Sequence, residues 1–440
     1  MSKHTEQLPL WATGRQEVGA IFDADHTTSD GGVTLFSLVD QRLGLISAMA
    51  NVIQDRRNPL FVVHPMADLL RQRIFQIAMG WEDCNDATTL RQDPVYKLAV
   101  GRQPVSGDDL ASQPTLSRLE NAITEDDLMR LWDLMIDVYL ARQAKRRRRI
   151  VIDADGTNAE THGEQQLALF SGFYGQTCYM PLMIFDGDDQ SLLGAILRPG
   201  VAGQADELLP FLIRLLPKIR AKWPKVKILL RCDGGFSGPE LYKWCEKHDV
   251  DYIVGITPNK RLAALAADSL AAAQQGLKVT GQPHRICGMG MYQADTWPHE
   301  RKVIWKVEVN EHRSDVRYVM TNLPGLPITL YERYCQRGAS ENWIKAFKSA
   351  LNGDRMSCHT AMANCFRLML HAGAYVLMHA LREMLAGTEA ETWQFDTLRL
   401  RLLKVAGWVR QTVRKVTLHL ASSHPHQDLW ALLTQRLTPT

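Results

Sequence analysis

Two hydrophobic periods divide the chain. Between about residues 33 and 140, apolar residues recur at spacings of three and four, most regularly in "MADLLRQRIFQIAMGW" and "DDLMRLWDLMIDVYLARQ". That is the period of a helix with one buried face. In "LASQPTLSRLEN" the step Gln113-Pro114-Thr115 predicts a helix start, because a proline in the first turn gives up only an N–H that lacks a helical partner there. Past residue 149 the period shortens. "IVIDAD" reads as a strand, and "YMPLMIF" and "LLGAILR" flank the polar turn "DGDDQS" as an antiparallel hairpin. An amphipathic helix, "ADELLPFLIRLLPKIRAKW", comes next. It is followed by the strand "VKILLRCD", the helix "SGPELYKWCEKHD" and the strand "YIVGI".

The resulting order, β-β-β-α-β-α-β, is that of a hairpin sheet extended by parallel strands through helical crossovers. It predicts an α/β fold with a ribonuclease H-like core. Residues 1–145 are expected to form a helical N-terminal domain that binds DNA, and 146–255 the first part of the core. A β-rich insertion at 256–328 carries "RKVIWKVEV" and "RYVMTNL", and the core resumes at 329–390 with a long helix from about Thr360 to Leu385. Residues 391–440 form a basic, β-branched C-terminal segment.

Composition adds bounds. At 440 residues and 45% hydrophobic, the chain is long enough to bury a large core in two to four domains. A formal net charge of +3 names no partner by itself, so the distribution matters more. Lys145, Arg146, Arg147, Arg148 and Arg149 form an unbroken cationic run, and Arg399, Arg401, Lys404, Arg410, Arg414 and Lys415 recur near the end. Such runs are either solvated faces or phosphate contacts. The eight cysteines show no CxxC and no zinc-like spacing, which fits a reduced compartment. No apolar leader opens the chain, and no run approaches the ~18 apolar residues of a spanning helix, so a cytoplasmic protein without a membrane partner is expected.

The candidate chemistry lies in carboxylates. Asp153 and Asp155 share one face of the first strand, and Asp233 ends "ILLRCD" just before Gly234-Gly235. Viewed alone, an Asp before Gly reads as a turn or helix cap. If the two strands are neighbours, the carboxylates meet at the C-terminal end of the parallel part of the sheet, where such sheets place their sites. Carboxylates gathered there demand a cation. Two Mg²⁺ ions some 3.5–4 Å apart, serving the attacking and leaving oxygens of a phosphodiester, are the solution familiar from nucleases, with Mn²⁺ as a substitute. Two aspartates do not complete such a site, and Glu341 is the natural third ligand.

Glu341 lies in "YCQRGASENWIKAFK". On a continuous helix Tyr334, Arg337, Glu341 and Lys348 fall within about 60° of arc along about 21 Å, with Lys345 close to the same face. As a solvated stripe, such residues support a helix by ~0.2–0.5 kcal/mol per pair. The stretch also resembles the Tyr-x2-Arg-x3-Glu-x6-Lys signature of the insertion-sequence transposases that work with a DDE triad. "DADGTNAETHG" resembles their first-Asp block, in which a Ser or Thr follows two residues after the Asp. That spacing points to Asp155 with Thr157, with Asp153 as the alternative ligand. "LLRCDGGF" resembles the second block. "SENWIKAFKSAL" with "DRMSCHTAMANCFRLMLHAGAYVLMHALR" is similar to the third block of the branch with a DxD first block and an RG-x2-EN third block. The resemblance spans at least residues 110–415.

The resemblance implies that Asp155, Asp233 and Glu341 bind metal while Tyr334, Arg337 and Lys348 hold phosphates near a transposon end. The basic run is expected to add contacts that do not read sequence. In related enzymes an aromatic residue of the insertion stacks on a flipped base. Trp297, beside Pro298 in a polar loop, is the candidate, since Trp305 inside "VIWKVEV" reads as core. His162 reads as a hydrogen-bonded surface histidine. The implied activity is binding of terminal inverted repeats, Mg²⁺-dependent cutting and strand transfer by a nucleoid-associated homodimer on double-stranded end and target DNA. A structure-specific nuclease and a domesticated, non-catalytic DNA-binding protein are the alternatives.

Overall fold

The computed structural model describes residues 7–13, 15–201, 203 and 207–438. The described residues divide into two units, one made of those within 1–42, 58–116 and 380–440 and the other of those within 43–57 and 117–379. Among the described residues no single helix is long and apolar enough to cross a membrane.

The first unit joins N- and C-terminal segments that the sequence treats as separate. It contains helices Met66–Ala78 and Pro94–Val100 together with a three-stranded sheet of Thr27–Thr28, Gly407–Gln411 and Val416–Leu420. At its centre Asp30, 1% exposed, accepts from Trp81 Nε1 (2.6 Å), Tyr96 OH (3.0 Å) and Lys404 Nζ (2.8 Å). A carboxylate so deeply buried needs that many donors. Lys404, read as one of the C-terminal cations, is therefore half-buried and already paired with a carboxylate. Arg410, Arg414 and Lys415 remain exposed along the hairpin.

The second unit is built on an eight-stranded sheet. Its strands are β1 (Arg149–Gly156), β2 (Leu182–Asp186), β3 (Leu192–Ile196), β4 (Lys227–Cys232), β5 (Val250–Ile256), β6 (His284–Tyr292), β7 (Arg301–Val309) and β8 (Ser314–Thr321), in the order β6-β7-β8-β5-β4-β1-β2-β3. The pairs β1/β4 and β4/β5 are parallel, and the rest are antiparallel. The hairpin β2–β3 forms across the turn that the sequence predicts. Helix α1 (Glu125–Arg142) precedes β1. Helices α2 (Leu208–Lys222) and α3 (Pro239–Lys247) are the crossovers from β3 to β4 and from β4 to β5.

Period two sorts the strand residues. Ile150, Ile152 and Ala154 of β1 and Ile228, Leu230 and Cys232 of β4 join a large core with Leu212, Leu215 and Ile219 of α2 and Leu241 of α3. Val151 and Leu229 face the other way, into a smaller core with Leu330 and Tyr331 of helix α5 (Pro327–Cys335). Each Val, Leu or Ile among them contributes roughly 1.5–3 kcal/mol when fully buried. The alternate positions Asp153, Asp155, Arg231 and Asp233 consequently belong to the α5 side.

The region 256–328 differs from the β-rich insertion expected. It opens with a 21-residue helix, α4 (Lys260–Thr280), whose N-terminus is capped by Asn259 and which ends at Gly281 in the left-handed conformation (φ 65°). Strands β6–β8 then extend the main sheet through the β8/β5 pairing and form no sheet of their own. Trp305 of β7 is buried, with its Nε1 donating to Ser269 Oγ of α4 at 3.0 Å.

Candidate active site

The parallel register of β1 and β4 sets Asp153 beside Arg231 and Ala154 beside Cys232. One step on, Asp155 and Asp233 emerge next to each other at the strand ends, at a strand spacing of about 4.8 Å. Asp155 is largely buried, its side chain 10% exposed. Asp233 is partly exposed, and its Oδ1 accepts from the Gly235 N–H at 2.9 Å, which caps the short turn Gly234–Phe236. Gly255 of β5 leaves room beside it. A Cβ there would lie 2.8 Å from Gly234 N and 2.9 Å from the Tyr334 hydroxyl.

The two aspartates of β1 have different surroundings. Asp153 is 0% exposed, and both its oxygens accept from Arg231, Oδ1 from Nε and Oδ2 from Nη2, each at 2.7 Å. Asp155 faces the open end of the strand, where its Oδ2 accepts from Arg337 Nη1 at 2.7 Å.

Arg337 does not sit on one continuous helix with its neighbours. After α5 the chain makes a 3₁₀ turn at Gln336–Gly338, then α6 (Ala339–Lys345), then a π turn at Ala346–Ala350. A 3₁₀ turn winds more tightly than an α-helix and a π turn less tightly, so the phase of side chains changes at each junction. Arg337 therefore turns to the sheet, with Ser340 Oγ donating to its carbonyl at 2.8 Å. Glu341 stays at the rim, its side chain 69% exposed and 4.0 Å from Arg337 Nη2. Lys348 is drawn in: its Nζ donates to the Asn158 carbonyl (2.8 Å), Asn158 Oδ1 (3.1 Å) and Thr157 Oγ1 (3.3 Å), with Asp354 at 3.4 Å. Tyr334 lies beneath the Arg337 guanidinium, 5.9 Å from ring centre to carbon, and Lys345 is exposed.

The charges are strongly coupled. Burial pushes the Asp155 carboxyl up to about 6; Arg337 opposes the shift, while the charges of Asp233 and Glu341 add to it. Burial alone would lower the Arg337 guanidinium, but Asp155, Tyr334 and Asp233 hold it above its ordinary value. Burial also raises the Tyr334 phenol, with Arg337 opposing and Asp233 adding to the shift. Acidic oxygens placed side by side in poorly solvated ground suit a hard cation such as Mg²⁺. Asp155 and Asp233 fit that role, and Glu341 is close enough for its charge to act on Asp155. Among the described residues no three His, Cys, Asp or Glu side chains are gathered tightly enough to hold a metal as they stand.

The cationic run splits. Arg147 turns inward, donating to Tyr139 OH (3.0 Å), Gln143 Oε1 (2.9 Å) and the buried Asp186. Arg149 pairs with Asp188 at 2.9 Å, while Lys145, Arg146 and Arg148 are exposed. Trp297 is 7% exposed, packed edge-on against Tyr242 and Tyr292, each at 5.4 Å, with Arg301 over its ring. His162 is exposed and lines a polar cavity of about 560 Å³ with Glu160, Gln165, Asn352 and Asp354. Sequence reasoning passed over Arg231, although a cation two residues before Asp233 in an apolar strand was a visible signal. It also passed over Tyr174, at the tip of a hairpin between Leu169–Ser171 and Gln176–Tyr179. Burial raises that phenol, and the charges of Asp155 and Asp233 contribute.

With this geometry in view, the chain can be compared with known proteins. It belongs to the family described as Transposase DDE domain group 1, whose model matches residues 11–440. No curated protein matches it. Among solved structures it is similar to a piggyBac transposase synaptic complex with hairpin DNA, at 11% identity and a TM-score of 0.43, over 86% of this chain and 80% of that one.

Proposed function

We propose that this DDE-family transposase serves an insertion sequence, binding its terminal inverted repeats and catalysing Mg²⁺-dependent cutting and strand transfer. The observation that carries the reading is the juxtaposition of Asp155 and Asp233 at the ends of two parallel strands, with Arg337 against the first. The strand order β3-β2-β1-β4-β5, with β2 alone reversed, supports a ribonuclease H-like core.

In this reading Asp155, Asp233 and Glu341 hold the metal, and Asp153 does not. Bound Mg²⁺ supplies Lewis-acid activation of the attacking oxygen and stabilisation of the leaving one. The rest is done by the chain. Arg337 and Lys348 bind phosphate oxygens and neutralise the charge that grows on them, and Tyr334 donates its hydroxyl to the same group. Transesterification conserves the phosphodiester energy, so no nucleotide cofactor is required. Two protomers hold two ends in one synapse. The exposed cations Lys145, Arg146 and Arg148 add contacts that do not read sequence.

The test is a strand-transfer assay with pre-cut 3′-OH ends taken from the inverted repeats that flank the reading frame, run with Mg²⁺, Mn²⁺ and Ca²⁺. Joining to a target plasmid with Mg²⁺ or Mn²⁺ is expected. Cutting without joining would make the protein a nuclease, and end binding without cutting would make it a non-catalytic DNA-binding protein.

A further inference from the structure

On the face of the sheet that carries the site, three rungs follow one another toward the open end. Val151 and Leu229 lie deepest, in the core with Leu330 and Tyr331; Asp153 and Arg231 come next, and Asp155 and Asp233 last. The middle rung is charged yet closed to water, with Asp153 0% and Arg231 2% exposed. A buried ion pair stabilises a fold little, if at all, compared with apolar residues of the same size. Its place one rung behind the site asks for another reason.

The third arm of Arg231 supplies one. While Nε and Nη2 hold Asp153, Nη1 donates to the Arg333 carbonyl at 2.9 Å and to Gln336 Oε1 at 3.4 Å. The Arg333 carbonyl belongs to the last turn of α5, where a cation is favoured by the helix dipole. Gln336 opens the turn that carries Arg337. The guanidinium has little room to shift, because a Cβ on Gly187 would lie 2.5 Å from Asp153 Oδ2 and 2.6 Å from Arg231 Nη2.

We propose that Asp153 and Arg231 are a positioning pair, fixing the C-terminal end of α5 to the sheet so that the following turn presents Arg337 at Asp155. The inference rests on the function proposed above for Arg337. Neither member of the pair touches DNA or metal, since both oxygens of Asp153 are already engaged by Arg231.

Arg231→Lys tests this, because it keeps a charge beside Asp153 but loses the fork that also reaches α5. Its Mn²⁺ affinity, read by titration calorimetry, should match wild type. Its affinity for end DNA should fall about tenfold and its cutting rate on the order of 10²-fold, the scale of a small misplacement. Both losses should vanish in an Arg337→Ala background, where the double variant should be no worse than Arg337→Ala alone. Affinities are read at low salt, where non-specific binding keeps all four proteins measurable. Losses that add in the cycle would overturn the proposal. Asp153→Asn alone strands a buried guanidinium, so the metal role of Asp153 is tested in Asp153→Asn/Arg231→Met, which removes both charges. Retained Mn²⁺ binding is expected there, and its loss would make Asp153 a ligand and sink the idea. A wild type that binds end DNA but cuts it with no metal refutes the enzymatic reading alone, since the affinity cycle still decides the role of the pair.

Discussion

Asp155→Asn is expected to make the metal-free protein more stable while ending its chemistry. Burial, helped by the charges of Asp233 and Glu341 and opposed by Arg337, pushes this carboxyl from its ordinary 3.8 up to about 6. The folded protein then holds the proton more tightly than the unfolded chain. Stability is fully present below about pH 3.8 and is lost as pH rises through about 6. At 1.36 kcal/mol per tenfold change in proton affinity, the loss reaches about 3 kcal/mol at pH 8 and roughly half that at pH 5. Asn resembles the protonated side chain and escapes the loss. Urea unfolding without divalent metal should therefore show the variant more stable than wild type by about 3 kcal/mol at pH 8, with a smaller gap at pH 5. Added Mg²⁺ should narrow the gap at pH 8 by stabilising wild type alone. A variant less stable than wild type at pH 8, or a gap that does not widen with pH, would refute the reasoning.

Glu341→Gln should lower Mg²⁺-dependent cutting by about 10²-fold or more while end-DNA binding in a gel shift holds or tightens slightly, because a rim carboxylate near phosphate is removed; full activity would make Glu341 a solvated residue. Replacing Lys145, Arg146 and Arg148 with Gln should weaken binding to all DNA and reduce the log–log salt slope by about 2.7. An unchanged slope would mean that these cations touch no phosphate. Arg147→Met, in contrast, strands the buried Asp186 and should cost about 3–5 kcal/mol of stability, seen as a lower melting temperature. Trp297→Ala should likewise cost about 3–5 kcal/mol through lost packing, with the DNA affinity of the folded fraction unchanged; the reverse outcome would restore a base-stacking role.

The strands of the second unit were legible because "IVIDAD" and "VKILLRCD" are short, largely apolar runs that each close on an aspartate. Helices between successive strands implied a parallel pairing, which brings Asp155 and Asp233 together. Helix α4 was not legible in the same way. Its sequence, "KRLAALAADSLAAAQQGLKVT", is rich in alanine, which favours a helix but marks no buried face, while the strands after it drew attention to themselves. The union of the N- and C-terminal segments was hidden for another reason. It runs through Asp30 and Lys404, two charged residues far apart in sequence, and no periodic pattern reports such a pair.

Around Asp155, the regular spacing of the stretch does not describe where its side chains point. Tyr334, Arg337, Glu341 and Lys348 align only if one α-helix runs through all of them, and a single 3₁₀ turn at Gln336–Gly338 removes that condition. The turn is flanked by contacts to residues outside the stretch. With the backbone tightened at this turn, Arg337 has an acidic partner in Asp155 and the end of α5 has a donor in Arg231. Both partners belong to strands read as separate elements from the sequence. The contacts that orient Arg337 and the end of α5 come from residues 155 and 231, outside "YCQRGASENWIKAFK", so the stretch alone does not set the direction of Glu341.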